Sequence, residues 1–235
     1  MKTSIDTLHL PHIDSTLRLQ ATQYVRNVRA TRVEAGPIIT ISREFGCEGY
    51  ALAGELAKRL STEARPWMVY SRDMHDPIAP DRDPVHELID VLDSSGRDAI
   101  TEMFDKFMAD KPTDMERYTS LVANLRTLTR HGYAVILGGG GAILTKGYPK
   151  AFHVRLQASE EFRVNRIASI TGLRLEEAQT QVAEHEQNRV AFIQKFTRHN
   201  ITDSHLYDLI LNNGTMNVDQ MSELILLAMN QRGLL

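Results

Sequence analysis

The chain has a single cysteine, Cys47, among 235 residues. No intrachain disulfide can form, and the count suits a reducing compartment. No apolar run approaches the roughly 20 residues that cross a bilayer as a helix. Residues 1–19 carry neither a basic n-region nor an apolar h-region, so no secretory signal is expected. The net charge is only −3, from 27 basic and 30 acidic side chains. That balance leaves no electrostatic footprint for nucleic acid or an anionic membrane, and neither is expected as a partner. There is no repeat at a solenoid or propeller period and no low-complexity tract. The nine histidines fall in no metal-ligand pattern: His185-Glu186, and His199 with His205, lack the spacing of a defined site. The expected compartment is the cytoplasm.

What is present is enough for a full core. With 42% hydrophobic residues, the chain fits one α/β domain with room for a lid or arm. Residues 1–36 read as a helical arm, with Leu17, Leu19, Ala21, Tyr24, Val25 and Val28 along one side among Arg26, Arg29 and Arg32. Such a helix packs on the domain's own surface, forms a homodimer contact, or lays its arginines over a phosphate site. Residues 37–235 form the main domain. Pro37 to Ser42 is a short β-branched run of the kind found in buried parallel strands. Four more apolar runs, 67–70, 133–137, 152–156 and 206–211, complete a five-stranded sheet. Between them lie helices. The first repeats Leu52, Leu56 and Leu60, and a long helical insert spans about 81–131. Ser159 caps a helix with Glu160 and Glu161 in its first turn, at the positive end of its dipole. A helical lid spans about 172–205, its helix from Leu175 to Phe196 with a break expected. A last helix, Asn217 to Asn230, is expected to bury Val218, Met221, Leu224, Ile225 and Ala228. Strands separated by helices imply a parallel sheet covered on both faces, a three-layer α/β sandwich.

The first strand runs through Ser42-Arg43-Glu44-Phe45-Gly46-Cys47-Glu48-Gly49-Tyr50-Ala51 into a helix. Glycines allow close backbone approach to an anion, and the unpaired N–H groups at the helix start point toward it. The strict pattern G-x-x-x-x-G-K-[ST] is met in neither register. One register puts Cys47 at the lysine position and the other puts Tyr50 there.

The stretch Ile39 to Gly46, with Gly49, Ala53 and Leu56-Ala57, resembles the opening of the cytidylate kinase-like family, whose loop itself lacks the usual lysine. The likeness continues through Tyr70-Ser71-Arg72-Asp73, Ala134 to Leu144, His153 to Leu156, Glu161 to Ile167, Arg189 to Phe192 and Tyr207 to Asn212. This resemblance implies a P-loop NTPase-like, nucleoside-monophosphate-kinase-like fold with a lid. It also implies ATP as donor, Mg2+ as cofactor, and a cytidylate-like nucleoside monophosphate or related small molecule as acceptor.

Phosphoryl transfer needs in-line positioning and positive charge more than covalent help. The candidate catalytic residues are therefore Arg43, Asp73, Arg163 and Arg189. Ser42, Gly46, Cys47, Glu48, Gly49, Tyr50 and Ala51, with Arg166 and Lys195, are the candidate phosphate and nucleotide ligands. Arg72, Gly138 and Gly139 are candidates for the acceptor. Arg43 either reaches a phosphate or pairs with Glu44 or Glu48. Against the family pattern, Glu48 stands where a small residue is usual, Tyr50 and Gly139 replace arginines, and Gln187-Asn188 replace a charged pair. The run Gly138 to Gly141 is either a close approach to a ligand or a flexible connection. Cys47 is either a reactive thiol or a small residue standing in for serine. An active kinase and a nucleotide-binding regulatory protein on the same fold both remain open. So does a third reading, an interaction module.

Overall fold

The computed structural model describes residues 35–71, 118, 122, 125 and 128–235. The expected arm, most of the helical insert, and Arg72 and Asp73 lie outside the described residues. Five strands are present: β1 (Ile38–Arg43), β2 (Met68–Ser71), β3 (Ala134–Leu137), β4 (Ala151–Gln157) and β5 (Leu209–Asn212). They pair in the order β2-β3-β1-β4-β5, and every pairing is parallel. Each of the five apolar runs holds a strand: β1, β2, β3 and β5 begin later than expected, and β4 extends one residue beyond its run at both ends. The largest displacement is in the fifth, where Ser204–Leu206 is a 3-10 turn and the strand begins only at Leu209.

The central position of β1 explains its composition. All six of its residues are buried, so neither face can carry solvated polar groups. On one face, α1 (Gly49–Leu60) and α5 (Val218–Gln231) cover a core of Leu52, Leu56, Val135, Phe152, Met221 and Ile225. On the other, Ile38, Ile136 and Ala151 pack with Leu125, Leu128 and the partly buried Leu144 of the short α2 (Gly141–Leu144). The fold is a three-layer α/β sandwich of the P-loop kinase type. Two features of the helices differ from expectation. In α5, Leu224 is exposed and Met229 is buried in its place. Asn217, expected as the first helical residue, is instead the N-cap, and its side chain accepts from Gln220 N–H.

A helical hairpin follows β4, and its second helix lies in the segment expected as the lid, about 172–205. After β4, Ser159 caps α3 (Glu160–Thr171) by accepting from Phe162 N–H. Gly172, at φ 71°, ends it in the left-handed conformation that glycine adopts without strain. The helix α4 (Leu175–Thr197) then runs 23 residues without the expected break, about 34 Å at 1.5 Å per residue. It has no proline or glycine to interrupt it. Its two ends are anchored separately: Ala178 and Val182 pack with Val164, Ile167 and Phe45, and Ile193 is buried at the glycine run.

Candidate functional site

The candidate site is the loop from Arg43 to Gly49 at the carboxyl end of β1, where parallel α/β sheets bind their ligands. Gly46 makes the turn possible. Its φ is +97°, and a Cβ there would lie 2.8 Å from Arg163 Cβ. The close approach of α3 to the loop therefore depends on glycine.

Three of the expected arginines converge here from two helices. Arg163 Nη1 donates to the Phe45 carbonyl at 3.3 Å, and Arg166 Nη1 donates to the Gly46 carbonyl at 3.3 Å. Arg189 Nη1 donates to the Arg43 carbonyl. Arg163 and Arg166 share one α3 face because they are three residues apart. Arg43 is buried, with its guanidinium 5.5 Å from the Tyr50 ring. Lys195 is drawn elsewhere: it is exposed, and its ammonium lies 5.2 Å from the Phe196 ring.

The carboxylates are each held by arginine. Glu44 accepts from Ala158 N–H at 3.1 Å and pairs with Arg163 at 3.5 Å and buried Arg155 at 3.6 Å. Glu48, whose orientation decides whether the loop tolerates an anion, is turned onto other partners. Its backbone N–H donates to Asn213 Oδ1 at 2.7 Å, Asn213 Nδ2 donates back to its carboxylate at 2.9 Å, and Arg166 lies 3.8 Å away. Glu186 accepts from Phe45 N–H at 2.9 Å and from Arg189 at 3.4 Å. Magnesium needs oxygen ligands, commonly one or two carboxylates beside the substrate phosphates. Each of these loop-side carboxylates is already engaged by a guanidinium. Among the described residues no group of three or more His, Cys, Asp and Glu is placed to hold a metal. Asp73, the other candidate carboxylate, lies outside the described residues.

The remaining expected residues lie in or around the loop. Ser42 is buried and accepts from Arg155 Nη1 at 3.4 Å. Cys47 is buried, and burial, reinforced by Glu44, pushes its thiol up to about 12. Gly49 opens α1 in a tight place, where a Cβ would meet Leu137 at 3.0 Å. The Tyr50 hydroxyl lies 3.1 Å from Ser71 Oγ, at the end of β2. Ala51 is exposed. Gly138, Gly139 and Gly140 have φ of 73°, 62° and 72°, three successive left-handed residues. With Thr40 to Arg43, Arg189, Ile193 and Tyr207 they line a cavity of about 20 Å3, enough for a water or two. The close approach at the glycine run is made by α4: a Cβ on Gly140 would lie 3.0 Å from Ile193 Cδ1.

Asn213, Glu186, Arg155 and Tyr207 were not singled out from sequence. Arg155 had a visible signal, a charged residue inside the apolar run Phe152 to Leu156. Its guanidinium bonds the Ile201 carbonyl at 3.2 Å and lies 5.7 Å from the Tyr207 ring.

A glycine turn from the central strand of a 2-3-1-4-5 parallel sheet, overlaid by an arginine-bearing helical hairpin, is the fold of the P-loop kinase class. The chain belongs to the cytidylate kinase-like family, whose model matches residues 38–215. A search of curated protein sequences finds no match. Among solved structures, the chain is similar to an uncharacterized protein from Eubacterium ventriosum ATCC 27560, with 18% identity and a TM-score of 0.58, over 83% of this chain and 98% of that one. It is also similar to a gluconokinase from Sinorhizobium meliloti 1021, with 13% identity and a TM-score of 0.48, over 85% and 94% of the two chains. A third is the shikimate kinase from Bacteroides thetaiotaomicron, with 13% identity and a TM-score of 0.45, over 83% and 95%. At these identities the likeness is one of fold.

Proposed function

We propose that the protein binds ATP at the Arg43–Gly49 loop and transfers a phosphoryl group to a nucleoside monophosphate, cytidylate-like, or to a related small acceptor. The observation that supports this reading is the convergence of Arg163, Arg166 and Arg189 on the carbonyls of Arg43, Phe45 and Gly46. A transferring phosphoryl group needs compensating charge held in position before the reaction, and guanidinium groups supply it through planar, directional donors. In this reading Arg163 and Arg189 stabilise the transferred group, and Arg166 and the loop backbone hold the donor phosphates. Arg43 stays at the loop's base. Gly138 and Gly139 border the acceptor side; Arg72 and Asp73, the other candidates for the acceptor, lie outside the described residues. Glu48 is compatible with this reading because Asn213 and Arg166 engage it.

A second reading has its own support. The N–H groups of Phe45 and Glu48, which would serve an anion, already donate to Glu186 and Asn213, and Ala51 offers no hydroxyl. A nucleotide-binding regulatory protein with little transfer activity follows from that.

One experiment separates the two. Purified protein is titrated calorimetrically with ATP, and ADP release is followed with CMP, dCMP, UMP and AMP as acceptors, with and without Mg2+. Acceptor-dependent ADP release supports the enzyme, and Arg189→Ala should then lower turnover by about a hundredfold, the scale of losing one charge-stabilising contact. ATP binding with no release across the panel supports the regulatory reading. Absence of ATP binding defeats both.

A further inference from the structure

The loop already holds an anion of its own. Phe45 N–H, at the heart of the loop, donates to Glu186 Oε2 at 2.9 Å, and the same oxygen lies 3.4 Å from Arg189 Nη1. These are one backbone amide and one guanidinium, the pair of donors a phosphate oxygen uses at such a loop. The neighbours of Glu186 on α4 complete the grip on Phe45. The His185 ring stacks on the Phe45 ring with centroids 4.3 Å apart and planes 10° from parallel, and Arg189 lies 6.0 Å from its centre on the next turn. Phe45 is buried in the same apolar cluster as Val164, Ile167, Ala178 and Val182. Two successive turns of α4 therefore bring a stacking ring, a carboxylate and a guanidinium to a single loop residue.

We propose that Glu186 is an internal phosphate surrogate: its carboxylate competes with a ligand's phosphate for Phe45 N–H and Arg189, so that only a polyphosphate-bearing ligand displaces it. This rests on the reading that the loop is the anion site. Displacement costs every ligand the same two interactions. An anion with one phosphate cannot replace them and gain much besides. A polyphosphate also reaches Arg163 and Arg166, whose guanidinium groups lie over the next carbonyls of the loop. Glu186 thus sets which anions the loop accepts. It also ties α4 down while the loop holds none.

The test uses the full chain with Glu186→Ala and the near-isosteric Glu186→Gln, each checked for a native circular-dichroism spectrum and cooperative melting. Sodium tripolyphosphate, ATP and inorganic phosphate are titrated calorimetrically, and exchange of the Phe45 amide is followed with and without ligand. Glu186→Ala should bind tripolyphosphate about tenfold more tightly than the native protein, as expected for removing a charge-assisted competitor. Glu186→Gln, which keeps an acceptor but loses the charge, should gain less. The Phe45 amide should lose protection in unliganded Glu186→Ala and regain it when tripolyphosphate is added. Equal or weaker tripolyphosphate binding by both variants overturns the proposal, as does failure of Glu186→Ala to bind it at all. If tripolyphosphate binds as described but ATP does not, the surrogate role stands and the nucleotide reading fails.

Discussion

Cys47 sits between the loop's turn glycine and Glu48, and its chemistry follows from where the thiol is buried. Burial is the larger cause and the Glu44 carboxylate the next, and together they push its pKa from 9.0 to about 12. A thiol in that state is a poor nucleophile at neutral pH, because the reactive species is the thiolate. The residue therefore acts as a small buried side chain. Its linkage to stability has a definite sign. The folded state holds the proton to higher pH than the unfolded chain does, so the folded protein binds more protons between pH 9 and 12 and loses stability as pH rises through that window. Two outcomes are expected. Alkylation by iodoacetamide at pH 8 should be slower by about two orders of magnitude or more in native protein than in urea-unfolded protein, given a thiolate fraction about a thousandfold lower. Urea midpoints measured from pH 8 to pH 10.5 should fall for the native chain and fall less for Cys47→Ala. Rapid native-state labelling, or identical pH profiles, would contradict this account.

At the scale of elements, the strands were readable because parallel strands buried on both faces must be continuous apolar runs. Ile38 to Ile41, Ala134 to Leu137 and Phe152 to Leu156 are such runs. The start of α3 was readable for a similarly local reason, since Ser159 and two acidic residues mark it within three positions. Other features were not local. The acceptors for Phe45 N–H and Glu48 N–H lie 141 and 165 residues away along the chain, and no spacing rule joins Glu186 or Asn213 to the loop. The continuity of α4 was missed because its mixed polar composition gives it few buried apolar anchors, Ala178, Val182 and Ile193, while its middle is held by contacts of His185, Glu186 and Arg189 with the distant loop. The contact between α3 and the loop makes a sharper test. Gly46 combines a φ of +97° with only 3.0 Å from its would-be Cβ to the Arg163 backbone. Gly46→Ala must therefore either strain the turn or push α3 outward. It should cost about 3 kcal/mol, the scale of a strained backbone position, read as a lower urea midpoint with an unchanged slope. Gly54, with open space around its would-be Cβ, lies inside α1, and Gly54→Ala should be neutral or slightly stabilising, by up to about 1 kcal/mol. If both substitutions behave alike, the tight turn is not what seats α3.

For the whole molecule, the sheet with α1 and α5 forms one packed body, and the α3–α4 hairpin rests on it through few apolar contacts. Among the described residues, the hairpin's apolar cluster reaches the loop through Phe45, and α4 meets the glycine run through Ile193. Within the same described residues, α4 also stacks His185 on Phe45 and Phe196 on Tyr118, and the other ties are polar: arginine bonds to three loop carbonyls and the Glu186 bond to Phe45 N–H. Elements held by few buried apolar contacts open at lower free energy than the core beneath them. Amides of α4 should therefore exchange faster than those of β1 and β4, which lie at the centre of the sheet. A ligand that bridges loop and hairpin changes this hierarchy, because it adds its binding free energy to the closed form alone. At a concentration of 100 times its Kd such a ligand stabilises by about 2.7 kcal/mol. At about 2–4 °C per kcal/mol for a chain of this size, that is a rise in Tm of about 5–11 °C. ATP should produce that rise and, in the same samples, slow exchange in α4 more than in β1. A Tm shift with no change in α4 exchange would place the ligand away from the loop, since any anion held between Phe45 and Arg189 must restrain the helix that carries Arg189.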